Sequence, residues 1–177
     1  MKTKIWRLMP LLMFGLLVAF FWRGLSLDPQ RVPAAKMGQS LPVFDLPSLL
    51  DPQTQRFTPQ LMQGHQSLLI VWASWCEACQ EEQLFLEELS QQGVRLYGLN
   101  YKDDPLAARQ WLKDWGNPYQ AIGMDRRGKL AMDLGVYGAP EAYLVDDHGV
   151  IQYRHAGALT PDVWQRDFLP RMTKLRG

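Results

Sequence analysis

Cysteine is scarce in this chain. Two cysteines in 177 residues cannot build a disulfide framework. They suffice for one local disulfide, or for half of a metal site. An excess of one charge sign is missing too. The 19 Lys and Arg against 18 Asp and Glu leave a formal charge of +1. Nothing in that balance points to nucleic acid or to an acidic partner. Internal repeats and low-complexity tracts are lacking, which excludes a solenoid or a disordered array. The three histidines, His65, His148 and His155, fall in a loop, a turn and a strand end. Surface or structural roles are the simplest reading for each. Gln80, not histidine, follows Cys79, so the pair is not a haem-attachment site.

What is present is local. Both cysteines lie in Trp75-Cys76-Glu77-Ala78-Cys79. The apolar run from Ser67 to Trp72 leads into them, and a helix-like run from Glu81 to Leu89 follows. A strand that feeds a helix start places the first thiol among free N–H groups. These and the macrodipole favour a thiolate there. The expected chemistry is thiol–disulfide exchange. Cys76, nearer the helix start, is the expected nucleophile. Cys79, one turn further on, is more shielded and resolves the mixed disulfide by attacking Cys76. Trp75 is expected to flank the sulfurs and form part of a docking surface.

The N-terminus has its own signature. Lys2, Lys4 and Arg7 precede an apolar run from Leu8 to Trp22, and no small-x-small cleavage site follows. Trp6 and Trp22 sit where interfacial indoles belong. Residues 1–23 therefore read as an uncleaved transmembrane signal anchor, with a cleaved signal peptide as the competing reading. Residues 24–38, with Pro29 and Pro33, read as a linker, and 39–177 as the folded domain. The basic flank puts the N-terminus in the cytoplasm and the domain in an oxidising compartment.

Along the domain, Val43 to Leu46 alternates like a strand, and Gln55 to Phe57 is its hairpin partner. Leu68 to Trp72 and Val94 to Leu99 are continuous apolar runs, as in strands buried on both faces. Helices are expected over Ala78 to Ser90, with Leu84, Phe85, Leu86 and Leu89 apolar, over Leu106 to Trp115, and over Lys129 to Leu134. Trp72, Trp111, Trp115, Tyr143 and Phe44 are expected in the core. Ala142 to Val145 and Val150 to His155 flank the turn Asp146 to Gly149. A last helix runs from Pro161 to Leu175, interrupted near Pro170. This order predicts an α/β chain: a thioredoxin fold with an N-terminal hairpin extension and an N-terminal anchor. The dithiol then falls at the end of the first core strand, where open α/β sheets place their sites.

Val71 to Cys79 resembles thioredoxin-type active sites in general. Asn100-Tyr101-Lys102-Asp103-Asp104, Gly135-Val136-Tyr137-Gly138-Ala139-Pro140-Glu141 and Tyr153-Arg154-His155-Ala156-Gly157 together resemble the CcmG/DsbE family. Those proteins are membrane-anchored thioredoxin-like reductants of cytochrome c maturation. The resemblance implies a Cys76–Cys79 redox disulfide and a cis-proline at Pro140 beside it. It implies nearby acids at Glu82 and Glu141, and no cofactor or metal. Its partners would be a membrane electron donor of the DsbD type and apocytochrome c or an assembly subunit. The domain would face the periplasm from the bacterial inner membrane. A paralogue serving a nitrite reductase cytochrome and a general periplasmic reductase are the alternatives within this chemistry. A copper chaperone and a redox-independent binding module lie outside it. Two positions depart from the pattern. Glu77-Ala78 stands where the family usually has a proline, and Ile70 where many thioredoxins bury an aspartate.

Overall fold

A computed structural model describes residues 2–25 and 37–175. The chain divides into two units, Met1–Pro33 and Ala34–Gly177. In the first, helix α1 spans Lys2–Leu25. Met9, Leu12, Met13, Phe14, Leu16 and Phe20 on it are exposed. Among the described residues, no helix is long and apolar enough to cross a membrane. The expected linker falls mostly on residues 26–36, outside the described residues.

The second unit is built on β3 (Ser67–Trp72), in which every residue is buried. Its neighbours are β4 (Leu96–Tyr101) and β5 (Ala121–Asp125) on one side, and β6 (Glu141–Val145) and β7 (Ile151–Ala156) on the other. The order is β5-β4-β3-β6-β7. β3, β4 and β5 run parallel; β6 and β7 are antiparallel. Two successive parallel crossovers in the same direction put their helices on one face, because such connections are right-handed. Those helices are α2 (Glu77–Gln91) and α3 (Pro105–Trp115). Leu68, Ile70 and Trp72 meet Leu86, Leu89, Trp111 and Leu112 there. Leu69 and Val71 point the other way, onto α4 (Lys129–Leu134) and Phe57.

A two-stranded extension, β1 (Leu46–Pro47) with β2 (Arg56–Phe57), packs against β5. The hairpin is as expected, but Val43 to Asp45 are not in the ladder. Their alternation is one of burial only, with Val43 exposed and Phe44 stacked on Phe57. Pro42 and Pro47 bracket them and offer no N–H to a ladder.

Other elements shift for local reasons. β4 starts at Leu96, not Val94, because the Val94 N–H is spent on Leu89 O (3.0 Å), closing the end of α2. β5 has no forecast in the sequence, since Gly123 breaks its apolar run. That glycine is required: a β-carbon there would stand 2.3 Å from the Phe57 ring. Leu84 is 73% exposed, contrary to its assignment to the apolar face. The buried face of α2 runs instead through Cys79, Glu82, Gln83, Leu86 and Leu89. Trp115 is also substantially exposed; it is the last residue of α3, and Gly116 then turns the chain. The C-terminal helix is α5 (Pro161–Val163), a π-helical turn (Trp164–Phe168), then α6 (Leu169–Leu175). The break lies one turn before Pro170, which leaves the carbonyl one turn back without its N–H.

Candidate active site

Cys76 is the N-cap of α2, and its Sγ accepts the Cys79 N–H at 3.1 Å. The same donor would stabilise a Cys76 thiolate, so the helix start supplies the expected activation in hydrogen-bonded form. The two sulfurs form a disulfide, with the Cα atoms 5.3 Å apart. Cys76 is 6% exposed and Cys79 1%, so an incoming group meets Cys76 first. A turn closed by Cys76 N–H to Ala73 O (3.2 Å) delivers Cys76 from the end of β3. Trp75, in that turn, is 57% exposed, and its Nε1 donates to Lys102 O at 3.1 Å. The Ala139–Pro140 peptide is cis, and Ala139 packs against the core cluster that holds both cysteines. Trp75 thus adjoins Cys76 in the chain, and the cis peptide leads into β6, which pairs with β3 near the carboxyl end from which Cys76 is delivered.

Glu82 shares the buried face of α2 with Cys79, one turn on, and is 4% exposed. Its Oε2 accepts the Leu159 N–H at 2.6 Å. Burial pushes its pKa up to about 8, against the opposing pull of that N–H. A carboxyl that titrates near neutrality, one helical turn along the buried face from Cys79, is suited to exchange protons. The surroundings are aromatic: Trp72 stacks on Trp111 at 4.9 Å and on Tyr119 at 5.8 Å. Gly98 makes room, since a β-carbon there would lie 2.8 Å from Trp72 Nε1. Ile70, fully buried on this face, contributes no acid.

Glu141 takes a different position. β6 alternates, and Ala142 and Leu144 face α2 while Tyr143 and Val145 face α4. Glu141 shares the side of Tyr143, across the sheet from the dithiol. Its carboxylate accepts two bonds from Arg154 (Nε and Nη2, each 2.9 Å), one from the Tyr143 hydroxyl (2.8 Å) and one from the Tyr137 N–H (2.8 Å). Burial first, then the Glu141 charge, raise the Tyr143 pKa, so that hydroxyl stays a donor. The arrangement fixes the approach to Pro140 from below: Glu141 holds the start of the Tyr137–Pro140 segment.

Sequence reasoning missed two members of this neighbourhood. Arg154 neutralises Glu141 and stacks over Tyr137 (5.2 Å). It lies opposite Tyr143 in the β6–β7 register, which only the structure supplies. Asp103 gathers donors from the turn before Cys76. Both stood inside segments singled out above, but neither chemistry follows from spacing. Glu77 is exposed in the first turn of α2, where its charge suits the helix start. Of the histidines, His65 contacts the Tyr97 hydroxyl (3.0 Å) and His148 lies exposed beside Asp147.

The buried Glu141–Arg154 pair makes a firm expectation. Removing one partner of a buried pair leaves an uncompensated charge, at a cost of about 3–5 kcal/mol. Arg154→Met should lose about that much in urea unfolding at neutral pH. Adding Glu141→Gln should restore part of it. Equal and additive losses in the two single variants would contradict a coupled pair.

Residues 36–167 match the Redoxin family. The chain is 44% identical over 168 residues to the thiol:disulfide interchange protein DsbE of Pseudomonas aeruginosa, covering 95% of this chain and 93% of that one. It is 44% identical over 179 residues to the DsbE protein of Escherichia coli K12 (98% and 96% covered), and 46% over 173 to that of Yersinia pestis (95% and 92%). A structure from Chlorobium tepidum described as a putative DsbE superposes with a TM-score of 0.63 at 22% identity, covering 80% of this chain and 99% of its own. A secreted Mycobacterium tuberculosis disulfide oxidoreductase gives 0.61 at 19%, covering 75% and 96%. These two support the thioredoxin-like fold. With a buried Cys76–Cys79 pair at a helix start, the chain belongs to the Redoxin family and, within it, to the DsbE thiol:disulfide interchange proteins, and is a thiol–disulfide oxidoreductase.

Proposed function

We propose that this protein is the reductant that keeps apocytochrome c, or an assembly partner, reduced for haem attachment. The observation that carries the reading is the Cys76–Cys79 pair, capped by a helix N–H, in a chain 44–46% identical to DsbE proteins. In its reduced form, the Cys76 thiolate attacks one sulfur of the partner's disulfide. A Cys76–partner bond forms, and the second partner sulfur leaves as a thiolate that takes up a proton. The Cys79 thiolate then attacks the Cys76 sulfur and expels the first partner thiolate. Two electrons pass to the partner, whose two thiolates then take up protons from solvent, and the Cys76–Cys79 disulfide remains. A membrane electron donor of the DsbD type returns the electrons. Trp75 and the Ala139–Pro140 segment form the docking rim.

Glu82 is the base for the second step: its carboxylate form, which gains population as pH approaches 8, takes the Cys79 proton. The folded pKa lies above the unfolded one, so the folded state binds the extra proton between about pH 4.5 and 8. Stability therefore falls as pH rises through that window, and resolution by Cys79 accelerates over its upper part. Glu82→Gln should flatten both dependences, measured by denaturant titration and by mixed-disulfide decay. A resolution profile unchanged in Glu82→Gln would remove Glu82 from the proton path.

Partner identity is read by trapping. Cys79→Ser should hold a mixed disulfide through Cys76, and mass spectrometry of the adduct should show an apocytochrome or an assembly subunit. Capture of unrelated secreted proteins would instead mark a general reductase.

We further propose that α1 tethers the domain to the inner membrane, with the dithiol in the periplasm. The support is the 24-residue helix Lys2–Leu25, its exposed large apolar side chains, and the basic residues that precede them in sequence. The full chain should resist alkaline carbonate extraction of membranes, and a form lacking residues 1–25 should be released. Extraction of the full chain would rule out the tether.

A further inference from the structure

The segment at the end of β4 and just beyond it, Asn100 to Asp104, supplies no group to the exchange steps above, yet it is densely bonded to the turn that carries the nucleophile. Asp103 is nine-tenths buried. Its Oδ2 accepts the Ser74 N–H (2.6 Å) and Asn100 Nδ2 (2.8 Å). Its Oδ1 accepts the Ser74 hydroxyl (2.7 Å) and the Asp104 N–H (2.8 Å). Half of this set comes from Ser74, which lies inside the turn closed by Cys76 N–H to Ala73 O. The next residue, Trp75, is held by the Lys102 carbonyl. Lys102 is the one non-glycine among the described residues with positive φ, 46°, and its N–H is bonded to Asp125 O at 3.1 Å. A left-handed lysine persists only where its surroundings over-determine it. The grip is therefore anchored on β5 as well as on β4.

We infer that Asp103 is a positioning residue for Cys76: it fixes the Ala73–Cys76 turn to the end of β4, keeping the Cys76 sulfur in line with Cys79 while the redox ring is open. In the disulfide form the S–S bond itself ties Cys76 to α2. In the mixed disulfide that bond is gone, and the partner pulls on the Cys76 sulfur. The restraints left on that side are the turn and the carboxylate that clasps it. Displacement of in-line sulfurs depends steeply on alignment, and a misplacement of about 1 Å can cost about 100-fold in rate. Only an acceptor-only group fits, because everything that meets it donates. An amide would turn an NH2 toward two of these donors.

The inference rests on the thiol–disulfide exchange assigned above, and the test separates the two. The reduced chain is mixed with glutathione disulfide, and formation and decay of the Cys76–glutathione adduct are followed by rapid quench and mass spectrometry. Asp103→Asn should slow decay of the adduct by about tenfold or more. Alkylation of Cys76 by iodoacetamide, which needs no sulfur in line, should change less than about twofold. An adduct lifetime equal to wild type, with only a lowered Tm, would reduce Asp103 to a structural role. Parallel losses in decay and alkylation would also overturn the inference, because the defect would then lie in the thiolate and not in its alignment. If Asp103→Asn does not fold, Ser74→Ala removes the hydroxyl bond alone and should slow decay by about threefold; an unchanged lifetime there overturns it equally. Failure of the wild-type chain to reduce glutathione disulfide would overturn the exchange assignment, whereas a reactive wild type matched by its variants overturns only this inference.

Discussion

The site depends on where β3 ends. That strand is buried along its whole length between a parallel and an antiparallel neighbour. Its backbone polar groups are taken by the ladders, and its side chains fill both layers of the core. None of it can move without opening the domain. Three segments meet its carboxyl end: the turn to Cys76, the loop after β4, and the Ala139–Pro140 peptide before β6. Each comes from a different part of the chain and carries a different share of the chemistry. The rigid strand converts these long-range relations into fixed distances, which reactive sulfurs need.

Two buried glutamates show how surroundings decide a carboxyl group's role. Both are nearly inaccessible, and they lie on opposite faces of one sheet. Glu141 has a guanidinium, a phenol and a backbone N–H, which hold it in place. Glu82 has a single backbone N–H against full desolvation. One donor does not offset that cost, so its proton is retained near neutrality. Sequence position suggested the reverse emphasis, since Glu141 adjoins the proline at the dithiol. Strand alternation turns it away, and helical periodicity turns Glu82 inward.

The fold was legible because its strongest signals are local. The apolar run Leu68–Trp72 of β3, the paired cysteines before an amphipathic helix, and the turn at Asp146–Gly149 each follow from short stretches. Less legible were features created by contact. β5 is hidden by Gly123, a residue chosen for the Phe57 ring lying across it. The exposure of Leu84 and the burial of Gln83 follow from which face of α2 meets the sheet, and composition favoured the opposite assignment. Gln83 is retained inside because its Nε2 caps the Gly116 carbonyl beyond α3 (2.9 Å). The two cysteines and the cis-proline were readable in advance. Arg154 and Asp103 were not, because an ion pair across strands and a carboxylate clasp need the sheet register before they exist.

The distribution of charge around the sulfurs also bears on direction. A thiol reductant must release electrons readily, and its oxidised form must not be disfavoured. The exposed Glu77 and the buried Glu82 both sit on α2 close to the dithiol, and neither has a basic side chain among its hydrogen-bond or ion-pair partners in the described structure. Negative charge there opposes a Cys76 thiolate, while the helix N–H favours it. Because Glu82 holds a proton at neutral pH, most of that opposition is absent there and returns as pH rises toward 8. Only Glu82 that has lost its own proton can take one from Cys79, so in the proposed proton path rising pH both frees the base and restores the opposing charge. Burial of Glu82, which costs stability as pH rises, thus also sets how much negative charge lies on α2 near the sulfurs at a given pH.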